Sequence, residues 1–193
     1  MIDDTRIKAT GLVIDRLYDK EGNLIKEIRG HNQVMNGFIA MLTDIARGVL
    51  PPITQFSENN LVFNMVIGTG EESWDTSIPA PSPTEKKLVT PILNRCIENN
   101  SVFRDSDLVP SANYGYKNFN FRASFDYNEA IGKSLREFGI VLCHVNGNPL
   151  DECINGVGDN DSTSYLLEMY RHPVIEKTQD IMVIRDLTIS LHF

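Results

Sequence analysis

Hydrophobic and polar residues alternate along several segments of the chain, most clearly over residues 119–127. Every second position there is apolar or aromatic and the positions between are polar. This period is typical of an antiparallel strand with one buried and one wet face. Residues 181–193 follow the same period, with Arg185 as the one polar interruption of the apolar face. Further strands are predicted at residues 61–67, 138–145 and 165–171.

Near the start of the chain, two extended segments flank a polar turn. They cover residues 7–18 and 24–28, and the turn between them contains Gly22 and Asn23. Two such segments joined by a short turn with glycine and asparagine predict a β-hairpin.

A helix is predicted over residues 33–47, because apolar residues recur there with helical spacing and form one face. Asn32 is expected to cap its N-terminus, and Gly48 to close its C-terminus in a left-handed conformation. Gly37 lies inside the helix, where glycine costs about 1 kcal/mol relative to alanine. We therefore expect the helix to pack closely against a neighbour at Gly37.

These elements predict a mainly β protein, a β-sandwich of antiparallel strands with one amphipathic helix near residues 33–47 packed on it. Hydrophobic residues make up 41% and charged residues 23% of the chain, which are globular values. The sequence contains no internal repeat and no long interior linker. We expect residues 1–193 to form a single β-rich structural domain.

The formal net charge is −8, and the 18 lysines and arginines are scattered along the chain. Nucleic-acid binding would need clustered basic residues, so neither nucleic acid nor an anionic membrane is expected as a partner. The first residues are polar and acidic, and no apolar segment approaches the roughly 20 residues of a membrane span. Synthesis in a reducing cytosol is therefore expected. The three cysteines are then free thiols, although a Cys143–Cys153 disulfide remains an alternative.

The sequence offers little for catalysis, and no catalytic, cofactor-binding or metal-binding residue is predicted. The histidines are far apart, and none has metal-ligand spacing to another. Gly68 and Gly70 lack the further glycines and the lysine of nucleotide-binding loops, so a simple turn is expected there. Acidic residues at 151–152 and 159–161 lack the spacing of an EF-hand. A hydrolase acting on cell wall or polysaccharide is a further alternative. It would need two carboxylates a fixed distance apart, and the sequence does not exclude a pair such as Asp126 and Glu137.

A series of short motifs follows one order along residues 23–193. They are residues 31–34 (HNQV), 66–70 (VIGTG), 84–88 (TEKKL), 135–140 (LREFGI) and 174–178 (VIEKT). The series resembles small tail-associated structural proteins of tailed bacteriophages, including collar, fibre and baseplate-attached virion proteins. The resemblance implies a non-enzymatic virion subunit without cofactors, made in the host cytoplasm. Its partners would be other virion tail proteins and further copies of itself, in a trimer or ring.

Two other roles remain open: a receptor- or glycan-binding module at a tail fibre tip, and a capsid or neck decoration protein. Glycan binding would need an exposed aromatic platform, for which Trp74, Tyr114 and Tyr116 are the candidates. The same residues are candidates for a subunit interface, since a tryptophan in a loop buries a large area at small entropic cost. Packing of Trp74 back onto its own domain is the alternative.

Overall fold

The computed structural model describes residues 8–51, 59–97, 116–144 and 164–192. Within these ranges the chain forms the following strands and α-helix: β1 Lys8–Tyr18, β2 Leu24–Val34, α1 Asn36–Ala46, β3 Leu61–Gly68, β4 Pro91–Ile97, β5 Tyr116–Phe125, β6 Lys133–His144, β7 Tyr165–Lys177 and β8 Met182–His192. A short 3-10 helix, Glu72–Asp75, lies between β3 and β4.

The strands form one antiparallel eight-stranded sheet in the order β4-β3-β6-β7-β2-β1-β8-β5. Its two end strands, β4 and β5, approach each other, so the sheet is nearly closed and barrel-like. The prediction of a mainly β protein is confirmed, but the predicted sandwich of two sheets is wrong. β2 joins the two halves, since it pairs with β1 on one side and, at Gln33 and Val34, with β7 on the other. Alternation fixes which face of a strand is buried, and a sandwich or a curled sheet satisfies it equally.

The core fills the inside of the curled sheet. The predicted apolar faces of β5 and β8 are confirmed, because their odd-numbered residues from Phe119 to Phe125 and from Val183 to Leu191 are buried. Phe121 meets Phe63 of β3 edge to face, with ring centroids 5.4 Å apart. A smaller apolar cluster includes Met35, Val66, Leu88, Val141, Leu166 and Met169.

The predicted hairpin is confirmed as β1 and β2. Its turn contains Gly22 with φ of +82°, and the Asp19 carboxylate accepts the Asn23 backbone N–H at 2.7 Å. β2 continues beyond residue 28 to Val34, because the ladder to β1 reaches Asn32 and the ladder to β7 follows. The polar residues at the end of β2 gave no alternating signal for this extension.

The helix is confirmed with a later start. Met35, not Asn32, is the N-cap residue, and the N-cap prediction for Asn32 is wrong because Asn32 pairs with Gly11 inside β2. Gly48 has φ of +72°, as predicted. Gly37 packs against β7, where a Cβ on Gly37 would lie 2.2 Å from the Leu166 carbonyl oxygen. The Gly37 prediction is therefore confirmed.

Candidate functional site

Trp74 lies in the short 3-10 helix and packs onto its own sheet, with 6% of the residue exposed. The guanidinium carbon of Arg171 lies 4.5 Å from the indole centroid, within the range of a cation–π contact. Gly70, with φ of +55°, makes room for the ring, since a Cβ there would lie 2.4 Å from it. The indole is thus used inside the chain and is not the centre of an exposed platform.

Ion pairs hold the segment around Trp74 against the sheet. Arg136 of β6 binds Asp75 through two hydrogen bonds of 2.7 and 2.8 Å, and this contact holds the pKa of Asp75 below its ordinary value. Arg171 binds Glu85 at 2.6 Å. A cleft of about 340 Å³ lies beside these pairs, between residues 74–78 and the bend at Pro173. Its walls are therefore fixed by contacts within the chain.

The other two aromatic candidates give no platform in the described part of the chain. Tyr114 lies outside the described residues. Tyr116 begins β5, at the edge of the sheet, and its side chain lies outside the described set. The structure thus places Trp74 and leaves the grouping of all three residues as a prediction.

Glu137 is fully buried and holds the segment before β4 in place through hydrogen bonds. Its carboxylate accepts the backbone N–H groups of Val89 and Thr90 at 3.1 and 2.7 Å. Burial raises the pKa of Glu137, and these two hydrogen bonds oppose the rise. Asp126 follows β5 and accepts the Tyr127 backbone N–H at 2.7 Å. β5 and β6 are not neighbours in the sheet, and both carboxylate oxygens of Glu137 are turned toward the backbone of residues 89–90.

A buried ion pair lies where β1, β7 and β8 meet inside the sheet. Arg185 and Asp15 face each other on neighbouring strands, are 1% and 0% exposed, and form hydrogen bonds of 2.5 and 2.7 Å. The Arg185 guanidinium carbon also lies 3.8 Å from the ring centroid of Phe138. The polar interruption noted in the last strand therefore has a charged partner on β1.

His172 completes this buried cluster. Its Nδ1 lies 2.9 Å from the Pro173 carbonyl oxygen and its Nε2 lies 3.2 Å from an Arg185 nitrogen. Nδ1 must donate to the carbonyl and Nε2 must accept from the guanidinium, so the imidazole is neutral. Burial, and then the charge of Arg185, lower the pKa of His172 to about 4.

Two further residues with buried polar side-chain atoms lie near the junction of β2 and β7. Both carboxylate oxygens of Glu168 and both amide atoms of Asn32 have no hydrogen-bond partner among the described residues. Burial raises the pKa of Glu168 well above its ordinary value. Sequence reasoning missed Asp15, Glu168 and His172. Asp15 did carry a signal, because it interrupts an alternating apolar face between Val13 and Leu17.

Metal-binding chemistry finds no support in the described part of the chain, where no group of three histidine, cysteine or acidic residues could hold an ion. His31 is exposed, whereas the side chains of His144 and His192 and the acidic residues at 151–161 lie outside the described set. Cys143 forms a disulfide whose partner lies outside the described residues, so the expectation of three free thiols is wrong. Cysteine spacing without a fold did not distinguish these alternatives.

Two apolar residues are exposed on the surface where the β1–β2 hairpin turns. Leu24 and Ile25 are adjacent on β2, so they point to opposite faces, yet both are about half exposed, at 51% and 55%. This end of β2 therefore projects beyond the part of the sheet that covers the core. Within the described ranges, no helix is long and apolar enough to span a membrane.

The fold and these contacts define a mainly β protein with a charged cluster sealed in its core and a projecting hairpin. No protein-family model, no curated protein and no solved structure matches this chain.

Proposed function

We propose that this chain is a non-enzymatic virion subunit from the tail, baseplate or fibre-attachment region of a tailed bacteriophage. It assembles into a symmetric homo-oligomer and connects other tail proteins. The proposal rests first on the ordered motif series along residues 23–193. The observation that carries it further is the use of these motif residues in packing.

Gly68 of the VIGTG motif and Glu137 of the LREFGI motif fit against each other. A Cβ on Gly68 would lie 2.7 Å from a carboxylate oxygen of Glu137, which itself fixes the amides of residues 89 and 90. Gly139 similarly lets β6 approach β7, since a Cβ there would lie 2.8 Å from the Glu168 carbonyl oxygen. Motif residues with such roles fit a subunit whose task is to keep its shape, and they support the proposal.

The charged residues point the same way. Inside the core, Arg185 forms hydrogen bonds with both Asp15 and His172. Arg136 forms hydrogen bonds with Asp75 of the 3-10 helix. These groups are used to hold strands and loops together. The net charge of −8 keeps such a subunit soluble before assembly and favours docking to a basic protein surface.

The test is the protein composition of purified virions from a phage that encodes this chain, together with light scattering of the isolated protein. A fixed copy number per particle, and an oligomer either in solution or on the particle, is expected. Absence from purified particles would overturn the proposed virion role, and a stable monomer both in solution and on the particle would overturn the proposed homo-oligomer.

A complementation experiment adds a functional readout. Particles made without the chain should lack tail components or infectivity, and addition of the purified wild-type protein should restore both. A Glu137→Ala variant should restore less, because the segment at residues 89–90 loses its anchor. Arg122→Gln, a change on the exposed face of β5, is the matched control and should restore fully.

A further inference from the structure

β2 carries a strand edge without a partner among the described strands. Its ladder to β1 runs along the strand from Leu24 to Asn32, but its ladder to β7 covers Gln33 and Val34 alone. No ladder to β7 continues toward Leu24, and the Tyr170 side chain of β7 lies against the inner face of β2 at Gly30. A run of backbone groups on this edge of β2, between Lys26 and His31, is therefore available for pairing.

The hydrogen bonds at the end of β2 identify which residues present these groups. The Met35 N–H donates to the Leu167 carbonyl of β7 at 2.9 Å. Backbone groups of a strand point alternately to its two sides, so every second residue before Met35 faces the same way. Glu27, Arg29 and His31 thus direct their N–H and C=O groups away from β1, and the β-bulge at Ile25 ends this alternation.

The side chains at this edge are accessible as well. Ile25, Glu27, Arg29 and His31 are all exposed, and they lie on the outer face of the sheet. An exposed strand edge of this kind is a template for another strand. We propose that a second copy of this chain occupies it, with the two β2 strands pairing antiparallel about a two-fold axis through Ile28.

Charge favours this register over axes through Lys26, Glu27 or Arg29. In a two-fold antiparallel pair, the axis passes through one residue that then faces its own copy. An axis through Lys26, Glu27 or Arg29 would place two like charges directly opposite each other, which destabilises a cross-strand pair. An axis through Ile28 instead places Glu27 opposite the partner's Arg29, and Arg29 opposite the partner's Glu27.

The backbone agrees with the same register. An axis through Ile28 brings residues with outward-facing backbone groups opposite each other, Glu27 with the partner's Arg29 and Arg29 with the partner's Glu27. Such directly opposed residues exchange both of their N–H···O=C bonds.

This inference rests on the proposed function in one respect, the expectation of a symmetric homo-oligomer. A two-fold contact is compatible with a trimer or ring, since dihedral assemblies combine two-fold axes with a higher one. It names the surface and the partner, which the proposed function leaves open.

The test is sedimentation velocity of the purified full chain from about 1 to about 200 µM, because self-association depends on concentration by mass action. The wild type should form a dimer or an even-numbered assembly. Glu27→Arg and Arg29→Glu should each weaken association at least about tenfold, since each variant sets like charges opposite each other. The double variant should recover part of the association, because the ion pairs between the copies form again with the charges exchanged. Recovery is incomplete because the arginine at position 27 then lies beside Arg16 of β1, which pairs with Glu27 in the wild type.

Lys26→Glu is the matched control, since it makes the same charge change as Arg29→Glu but lies opposite the partner's Gly30. It should leave association unchanged. Arg29→Pro removes an outward N–H in the regular part of the ladder, which β1 does not use, and should give a monomer without loss of fold by circular dichroism. A wild-type monomer across the whole range, or an oligomer that none of these variants weakens, would overturn the proposal.

The composition of virions separates this inference from the proposed function. Presence in particles with a monomeric wild-type protein would defeat the β2 contact and leave the virion role standing. A β2-dependent dimer that is absent from particles would defeat the virion role and leave the contact standing.

Discussion

Arg185→Met is expected to destabilise the fold strongly, because it leaves the Asp15 carboxylate buried without its counter-ion. Both side chains are essentially inaccessible, and two hydrogen bonds join them. Removing one partner of a buried pair costs about 3–5 kcal/mol of unfolding free energy. The lost cation–π contact with Phe138 adds about 1–2 kcal/mol. Methionine fills much of the vacated volume, so a cavity contributes little.

Removing both charges should reverse this loss of stability. Asp15→Leu combined with Arg185→Met removes both charges and fills the space with apolar groups. Replacing a whole buried pair in this way is often neutral or stabilising. We expect the double variant to lie within about 2 kcal/mol of the parent, far above either single variant.

Urea unfolding followed by the fluorescence of Trp74 measures these differences, provided that the slope with urea stays constant. Arg122→Met is the matched control, because Arg122 pairs with Asp186 on the surface and its side chain is 59% exposed. It should cost at most about 1 kcal/mol. If Arg185→Met does not fold, Arg185→Lys should give a smaller, measurable loss of unfolding free energy. Lysine keeps the positive charge but cannot form the paired hydrogen bonds that the guanidinium makes with Asp15. Equal losses for Arg185→Met and Arg122→Met, or a double variant no better than the singles, would refute this account.

Three further predictions concern buried residues. The pKa of His172 is about 4 in the fold against 6.5 ordinarily, so the unfolded chain binds more protons between these values. Unfolding free energy should therefore fall by about 3 kcal/mol as the pH drops from 6.5 to 4, and His172→Gln should flatten this slope in urea titrations at several pH values. The pKa of Glu168 is raised in the fold, so at pH 7 its ionisation favours the unfolded chain. Glu168→Gln should therefore raise the unfolding free energy at pH 7, and this gain should vanish below the ordinary glutamate pKa. An equal difference between variant and wild type at both pH values would contradict this. Gly37→Ala should lower the melting temperature despite the better helix propensity of alanine, because its Cβ would strike the Leu166 carbonyl, whereas the exposed change Thr43→Ala should have little effect.

Much of the local structure follows from the sequence, because its signals are local. The period-two alternation of residues 119–125 identifies the buried face of β5, and the apolar spacing of α1 identifies a helix. Gly22 and Gly48 mark turns where the backbone has positive φ, which glycine adopts without steric cost. These features depend on neighbouring residues, so no knowledge of distant contacts is needed to infer them.

For the buried ion pair, the sequence shows two charged residues on apolar strand faces but not that they contact each other. Arg185 interrupts an apolar strand face, and Asp15 interrupts another, but the two are 170 residues apart along the chain. Their pairing requires β1 and β8 to be neighbours in a particular register, and no local pattern fixes that register. The use of Asn32 inside a strand, instead of at a helix start, has the same origin, since the ladder to β1 determines it.

The sequence by itself therefore determined the type of each clear element, the face each strand buries and the positions of the tight turns. The tertiary structure alone decided that the strands form one nearly closed sheet, that Trp74 turns inward, and that β2 is left with an open edge. The physical reason is that alternation and helical spacing record whether a residue meets water or the core. Strand order, the partner of a buried charge and the exposure of an edge depend on contacts between residues far apart in the chain.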